Sequence, residues 1–431
     1  MLNHANDHIA GAPPPLSLAV LHARTADDLR PLAAQLGHVL KSCSWVGGLD
    51  LLVFQEGAPD PAVQTATESA GGRYFTGGNG YGSSLRKAIE RARGDCLVTM
   101  DLDGSHNPYI IPELLALRGE ADIVIASRYA RNGYSNATVA RRFLSWGGNL
   151  AISILLDMPV RDMTSSFRLY RLPALRQVKL ESDDYGALIE ALVRAYAQGF
   201  RIVETPFHHG ATQGGGRRPI TGIGRDLCRQ FGRLWRLRNS IDCADYDERA
   251  FRSRIWFQRS WQRRRYHALA GMARSCPAVL DVGCGSSQIV LGLPQSDICD
   301  ICLNKLRHHR GRARTPVRAS VFNLPFPSNR YDAVIFSQVI EHLPRDPRIL
   351  TEIVRVAKPG GLVIVGTPDY ATWWTTIEKL YKLANPTGYA DEHITHYTFK
   401  SLKAEAESRG CEYIAHDWVW GAELIMRFRK K

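Results

Sequence analysis

Short apolar runs alternate with amphipathic stretches along the whole chain. In the first half, Leu16 to Leu21, Leu51 to Phe54, Cys96 to Met100 and Asp122 to Ala126 read as strands. Between them, Asp27 to Leu40, Gly82 to Arg93 and Ile111 to Leu117 carry helical spacing, and Gly94 closes the second. Short continuous apolar runs suit strands buried on both faces, and longer runs with a period near 3.6 suit helices. The order predicts a mostly parallel sheet with helices on both faces. The pattern then restarts, with strands at Ala278 to Asp281, Ile298 to Ile301, Ala333 to Ser337 and Leu362 to Gly366. The fold class is therefore α/β, with two doubly wound domains. At 431 residues the chain is long enough for both. The expected divisions are a flexible N-terminus over 1–15, a first domain over 16–215, a basic helical linker over 216–244 and a second domain over 245–431.

Composition narrows the class. Hydrophobic content is 45% and charged content 23%, as in an ordinary globular protein. No run approaches the roughly 20 apolar residues that span a bilayer. The best, Leu150 to Val160, is interrupted by Asp157. Met1 to Pro15 lacks a basic segment followed by an apolar one, so no secretory signal is expected. Nine scattered cysteines suggest reduced thiols and a cytoplasmic location. Cys299 and Cys302 form a lone C-x-x-C without a second pair, which reads as a strand end rather than a zinc site.

The net charge of +13 is concentrated. Arg217 to Tyr266 holds fourteen arginines and five acids, a local excess of 14 − 5 = 9. Such a patch suits phosphates. Ile223, Leu227, Phe231 and Leu234, with Trp235, form an apolar stripe, and Arg225, Arg229, Arg233, Arg236 and Arg238 lie largely off it. This helix either lies in an anionic membrane surface, on its cytoplasmic face, or docks on a domain with its arginines in water. Nucleic acid is not expected, because no nucleic-acid module is recognisable.

Candidate chemistry in the second half starts at Val279-Leu280-Asp281-Val282-Gly283-Cys284-Gly285, a strand running into a glycine turn. Glycines there let the backbone approach a ligand. Asp300 follows Asp281 by nineteen residues, where an acid can take the hydroxyls of a ribose. Further on come Asn323-Leu324-Pro325-Phe326-Pro327, Tyr331-Asp332-Ala333-Val334, Gln338-Val339-Ile340-Glu341-His342-Leu343 and Val356-Ala357-Lys358-Pro359-Gly360-Gly361. As a set, over about 245–429, these resemble class I S-adenosylmethionine-dependent methyltransferases. The resemblance implies a seven-stranded sheet and S-adenosylmethionine as cofactor. It puts Asp281, Gly283 and Gly285 at the methionine end, Asp300 at the ribose, and Ser320 and Val321 beside adenine, although the family usually has Asp at the Ser320 position. For a hydroxyl acceptor, His342 is the local base candidate, and Glu392, His393 and His396 are equally plausible. Tyr246, Gln258, Trp261 and Tyr266 form either a lid or part of the core.

In the first half, Asp101-Leu102-Asp103 at a strand end offers two carboxylates able to hold a hard divalent ion against a diphosphate. Around it stand Asn79-Gly80-Tyr81-Gly82, Ala126-Ser127-Arg128-Tyr129, Arg141-Arg142-Phe143-Leu144-Ser145 and Asp162-Met163-Thr164-Ser165-Ser166-Phe167-Arg168. Over about 16–215 these resemble family 2 (GT-A) glycosyltransferases of the dolichyl-phosphate mannose synthase type. The resemblance implies Mg2+ or Mn2+ on Asp101 and Asp103 with Ser105 beside them, and catalytic roles for Asp101, Asp103, Arg128 and Arg141. It implies substrate contacts at Glu56, Ser145, Asp162, Arg217 and Arg218, a nucleotide-sugar donor and a lipid-phosphate or glycan acceptor. The departures concern base reading. Val20-Leu21-His22-Ala23-Arg24-Thr25 stands where the family has Pro-x-x-Asn-Glu, and Gln55-Glu56-Gly57-Ala58 where it has Asp-Asp-Gly-Ser. Ser166 replaces a glycine, and Thr212 to Arg218 replaces Arg-x-x-Gly-x-Ser-Lys.

The expected protein is a bifunctional transferase, moving a sugar and a methyl group. Two alternatives stay open. In one, the first domain is a non-catalytic binding module for a nucleotide sugar or lipid phosphate. In the other, the methyltransferase serves a small or quinone-like acceptor.

Overall fold

The structure is a computed structural model that describes residues 14–23, 26–43, 45, 47–55, 57–76, 80–210, 220–384 and 393–431, without the side chains at 27–28, 220–228 and 381–384. The chain divides into two compact units, the first ending at Arg238 and the second running from Asn239 to Lys431.

The first unit is built on a seven-stranded sheet. Its strands are β1 (Leu16–Ala23), β2 (Leu49–Gln55), β3 (Arg73–Thr76), β4 (Cys96–Met100) and β5 (Ile123–Ser127), and, after a two-residue β6 (Tyr134–Ser135), β7 (Arg168–Arg171) and β8 (Ile202–Pro206). The spatial order is β3-β2-β1-β4-β7-β5-β8. A two-residue β9 (His208–His209) pairs with β6 apart from the main sheet. Strand order reverses between β1 and β4, and at such a point the diverging connections leave a crevice beyond the strand ends. Asp101 is the first residue after β4. The sheet is mostly parallel, as expected, and its one exception is β7, which runs antiparallel to both β4 and β5. Arg168 opens that strand and is fully buried, donating to the Leu188 and Met163 carbonyls. Those bonds satisfy a charge that would otherwise exclude the residue from a core.

The second unit repeats the plan with β10 (Val279–Val282), β11 (Ser296–Asp300), β12 (Thr315–Arg318), β13 (Tyr331–Ser337), β14 (Ala357–Pro368), β15 (Cys411–Val419) and β16 (Glu423–Lys430). The order is β12-β11-β10-β13-β14-β16-β15, seven strands as the resemblance implied. The five N-terminal strands are parallel, and β16 and β15 close the edge antiparallel. Here the order reverses between β10 and β13, and the glycine turn follows β10.

The basic helix, Ile220–Asn239, is already partly docked. Leu234 is buried in the first unit's core, and Phe231 and Leu237 pack against that core. Arg233 pairs with Glu181. Arg238 is fully buried, with Nε on the Leu156 carbonyl at 2.9 Å, Nη2 on the Asp157 carbonyl at 2.8 Å, and the Tyr196 ring 4.9 Å below. Two of the stripe's apolar positions thus serve protein packing. The Ile223 and Leu227 side chains lie outside the described residues. Among the described residues, no helix is long and apolar enough to cross a membrane.

Leu234→Ala should therefore destabilise the protein by about 2–5 kcal/mol. Trp235→Ser, at a position 48% exposed, should change stability by less than about 0.5 kcal/mol. Urea unfolding of both variants checks the pair, and equal small effects would mean the helix is not packed.

Candidate functional site

Each unit gathers its candidate residues at the C-terminal ends of its central strands. In the first unit, Asp101 Oδ2 accepts from Ser166 Oγ at 2.6 Å, and the Asp101 amide donates to His106 Nδ1 at 2.8 Å. Asp103 accepts from both the amide and the hydroxyl of Ser105. Ser105 itself is buried, and its carbonyl accepts from the Gly210 amide. The carboxylates are thus aimed by their neighbours, and as paired oxygen donors they fit a hard divalent ion. His106 packs against His209, whose ring burial holds at about 4, helped by the charge of His106.

Arg128 follows β5 and is locked in place. Its Nε and Nη2 take the two oxygens of Asp162 at 2.8 and 2.7 Å, and Nη2 also reaches Thr164 Oγ1 at 2.9 Å. Asp162 has no exposed surface. Burial alone would raise its carboxyl, but the Arg128 charge and hydrogen bonds outweigh that and hold it below the usual carboxylate range. Both Asp162 oxygens accept hydrogen bonds within the protein, from Arg128 and from the Thr164 and Ser165 amides. Asn149 ties the same loop to the helix Val139–Leu155, bonding Thr164 and the Ser145 carbonyl. Ser145 on that helix accepts from Tyr129 Oη at 2.7 Å, and half-buried Arg141 lies one turn before it. This helix shows an exposed apolar face, with Val139 at 73% and Phe143 at 72% exposure beside exposed Leu144, Trp146, Leu150 and Ile154. The apolar run Leu150 to Val160 overlaps only the end of this helix, and the face formed by Val139, Phe143 and Trp146 was not read from the sequence. At the end of β1, where the family's base-reading motif is missing, His22 packs on Tyr81 and Tyr185 at 6.0 and 5.4 Å. Glu56, Arg217 and Arg218 lie outside the described residues.

In the second unit, Gly283 and Gly285 adopt φ values of +69° and +53°. A Cβ on Gly283 would stand 2.3 Å from Val339, and one on Gly285 would stand 2.6 Å from Asp247. Only glycine fits both the conformation and the space. Asp300 accepts from the Gly285 and Cys302 amides at 2.9 and 2.7 Å. Asp281 is buried, and its Oδ2 has no hydrogen-bond partner. Burial, with the nearby charge of Asp300, pushes its carboxyl up to about 7. A lone buried carboxylate of this kind awaits a cationic partner. Val321 is buried in the core, and half-buried Ser320 accepts from the Phe322 amide at 3.4 Å.

Beyond β13 lies a cluster that sequence reasoning named only in part. Glu341 is fully buried, Oε2 accepts from Thr367 Oγ1 at 3.1 Å, and Oε1 has no partner. Burial drives its carboxyl up to about 8. The His342 and His393 rings stand 4.8 Å apart. His393 Nδ1 bonds Tyr370 Oη at 2.8 Å, and His396 stacks on Tyr370 at 3.9 Å. Glu392 lies outside the described residues. Of the four lid candidates, Trp261 belongs to the core, donating to Glu423 at 2.5 Å, and Tyr266 packs on Gly292 and Phe251. Arg265, which no motif flagged, bridges Glu423 to Gln338.

A family model described as "Glycosyl transferase family 2" matches residues 48–179, and one described as "Methyltransferase domain" matches residues 280–365. The chain is 38% identical over 157 residues to an undecaprenyl-phosphate mannosyltransferase of Micrococcus luteus, covering 35% of this chain and 61% of that protein, less than two thirds of its length. It is 31% identical over 197 residues to a polyprenol monophosphomannose synthase of Mycolicibacterium smegmatis, covering 42% of this chain and 73% of that protein. A solved S-adenosylmethionine-dependent methyltransferase from Thermotoga maritima aligns with 43% of this chain and 98% of its own, at 16% identity and a TM-score of 0.35.

The Asp281 carboxyl gives a pH test that needs no ligand. Between pH about 4 and 7 the folded protein keeps a proton that the unfolded chain has released, so stability falls as pH rises through that window. Asp281→Asn should remove this group's share of the slope and leave that of Glu341, raising Tm above wild type at pH 7.5 and matching it near pH 4. The gain should reach at most about 4 kcal/mol. Equal Tm values at pH 7.5 would mean that the carboxylate is already compensated.

Proposed function

Since the chain belongs, through its first unit, to the polyprenyl-phosphate sugar synthases of glycosyltransferase family 2 and joins to them a class I methyltransferase, we propose that it transfers a hexose, with mannose the leading candidate, from a nucleotide sugar to a polyprenyl phosphate and methylates that product or a related glycan. The observation that carries this reading is the arrangement around Arg128. Asp103 of the carboxylate pair after β4 and the locked arginine after β5 both act on His209, Tyr129 beside that arginine bonds Ser145 on the helix that also carries Arg141, and this helix shows an apolar face to its surroundings.

Asp101 and Asp103 would hold Mg2+ or Mn2+, which when bound neutralises the leaving diphosphate. Arg128 keeps its Nη1 edge for an anion while Asp162 and Thr164 fix the rest of the fork. A guanidinium held in this way loses little freedom on meeting a phosphate. Arg141 would meet the acceptor phosphate, and Ser145 would orient it. The attacking phosphate oxygen is already an anion, so no strong base is required. The exposed face of Val139–Leu155 gives the prenyl chain, or the membrane holding it, an apolar surface beside that phosphate. It offers a better membrane contact than the Gly222 to Arg238 stripe, which uses Phe231 and Leu234 for packing.

In the second unit, bound S-adenosylmethionine supplies an electrophilic methyl group. Asp281 would take the ammonium of its methionine end, Gly283 and Gly285 would admit its backbone, and Asp300 would receive the ribose.

Three measurements test the reading. A panel of GDP- and UDP-sugars with polyprenyl phosphate and Mn2+ should give prenyl-linked sugar, and Asp103→Asn should abolish it. Nucleotide binding without turnover would favour the binding-module alternative, to which the altered end of β1 lends some weight. Calorimetry should show 1:1 S-adenosylmethionine binding that Gly283→Arg removes. Affinity should fall about tenfold per unit as pH drops below 7, because the ligand's cation needs Asp281 ionised. Sedimentation with anionic vesicles should weaken in a Val139→Ser/Phe143→Ser variant, whereas an unchanged result would dissociate that helix from the lipid.

A further inference from the structure

The cluster beyond β13 has the composition of a metal site. Glu341, His342 and His393 each present one ligand atom, and these atoms lie within 4.8 Å of one another. Two imidazoles and a carboxylate form a donor set that suits zinc and its first-row neighbours and leaves a coordination position open. Donors about 2.1 Å from a tetrahedral ion stand roughly 3.4 Å apart, so the three would draw together by about 1 Å.

Two further features point the same way. Glu341 Oε1 is buried without a hydrogen-bond partner, while Oε2 is held by Thr367. A buried carboxylate oxygen left in this state is costly, and a cation relieves that cost. His393 is supported as metal-binding histidines usually are. Its Nδ1 is given to Tyr370 Oη, which in turn reaches Glu378 Oε1 at 3.3 Å, so a metal would take Nε2. The backbone also holds the two segments together. The Ile394 and Thr395 amides both donate to the Glu341 carbonyl at 3.0 Å, and Thr395 Oγ1 donates to the Leu343 carbonyl at 2.6 Å. Glu341 sits four residues past β13, on the segment whose Val339 stands against Gly283.

We propose that Glu341, His342 and His393 bind a divalent first-row metal ion of the zinc type, which presents a hydroxyl of the methyl acceptor to S-adenosylmethionine. This rests on reading the second unit as a methyltransferase, and it names the acceptor class as an oxygen nucleophile. A hydroxyl bound at the open position loses its proton to water more readily, because the ion stabilises the alkoxide. The oxygen lone pair then forms the O–CH3 bond while the S–CH3 pair returns to sulfur, leaving S-adenosylhomocysteine. His342 becomes a ligand in this arrangement rather than the base. Trp374, stacked 6.1 Å from His393, and the aromatic run through Trp261, Phe257 and Trp420 would wall the acceptor.

The test uses the full chain carrying Asp101→Asn and Asp103→Asn, which removes the other carboxylate pair, after chelation and dialysis. Co2+ should bind 1:1 and show the visible absorption of a four- or five-coordinate ion, and Zn2+ should displace it. Glu341→Gln, which keeps the shape and the Thr367 contact, and His393→Ala should each abolish that spectrum. Tyr370→Phe should weaken metal binding about 10- to 100-fold. S-adenosylmethionine affinity should stay within about twofold of the parent in all three, less than the loss of a typical hydrogen bond. Normal S-adenosylmethionine binding with no Co2+ spectrum would overturn the metal site and leave the methyltransferase reading intact. A chain that binds no S-adenosylmethionine at all would instead overturn that reading. A Co2+ spectrum that survives both Glu341→Gln and His393→Ala would place the metal elsewhere and also defeat the proposal.

Discussion

Parallel strands cannot be joined by tight turns, so each needs a crossover. Where two neighbouring strands send their crossovers in opposite directions, the sheet opens a crevice at their C-terminal ends. Both units of this protein contain that crevice, between β1 and β4 and between β10 and β13. The chemistry described above depends on it. Asp101 leaves β4 at one such point, and the Gly283 turn leaves β10 at the other. Side chains there are oriented by a rigid sheet while their ends stay open to a ligand.

The two crevices handle charge differently. In the first unit, half-buried Arg128 covers buried Asp162 through Nε and Nη2, with Asn149 and Thr164 completing the network. Such a pair adds little net stability but fixes a geometry. In the second, Asp281 and Glu341 are buried with an oxygen each left over. Each leftover oxygen is a buried acceptor without a hydrogen bond, a cost that the rest of the fold offsets. The Asp162 carboxylate is satisfied within the protein, whereas the second unit leaves two buried acceptors unmatched.

The residues that could be read from the sequence were those whose local pattern decides their state. Buried parallel strands such as Cys96 to Met100 and Ala333 to Ser337 are largely apolar runs holding one hydroxyl residue each, and glycines with positive φ announce a turn. β7 was missed because Arg168 and Arg171 bracket it, and only tertiary hydrogen bonds make that sequence a central strand. The β15–β16 hairpin was missed because charges such as Glu412, Asp417 and Arg427 dilute its alternation. Asp162 was visible as a motif member, but its full burial depends on Arg128, which lies far away in sequence. The same limit applies to amphipathic helices. The stripe on Ile220–Asn239 and the one on Val139–Leu155 look alike as sequence, yet the first is partly covered by the core and the second is exposed. Periodicity reveals an apolar face but not what covers it.

Arg238 ends the first unit, and its guanidinium caps the carbonyls of Leu156 and Asp157, just past the helix that carries Arg141 and Ser145. The C-terminal end of Ile220–Asn239 is therefore hydrogen-bonded to the chain that leaves Val139–Leu155. Replacing Arg238 would strip both carbonyls of their donor at once, so a single side chain fastens the end of one helix to the exit of another.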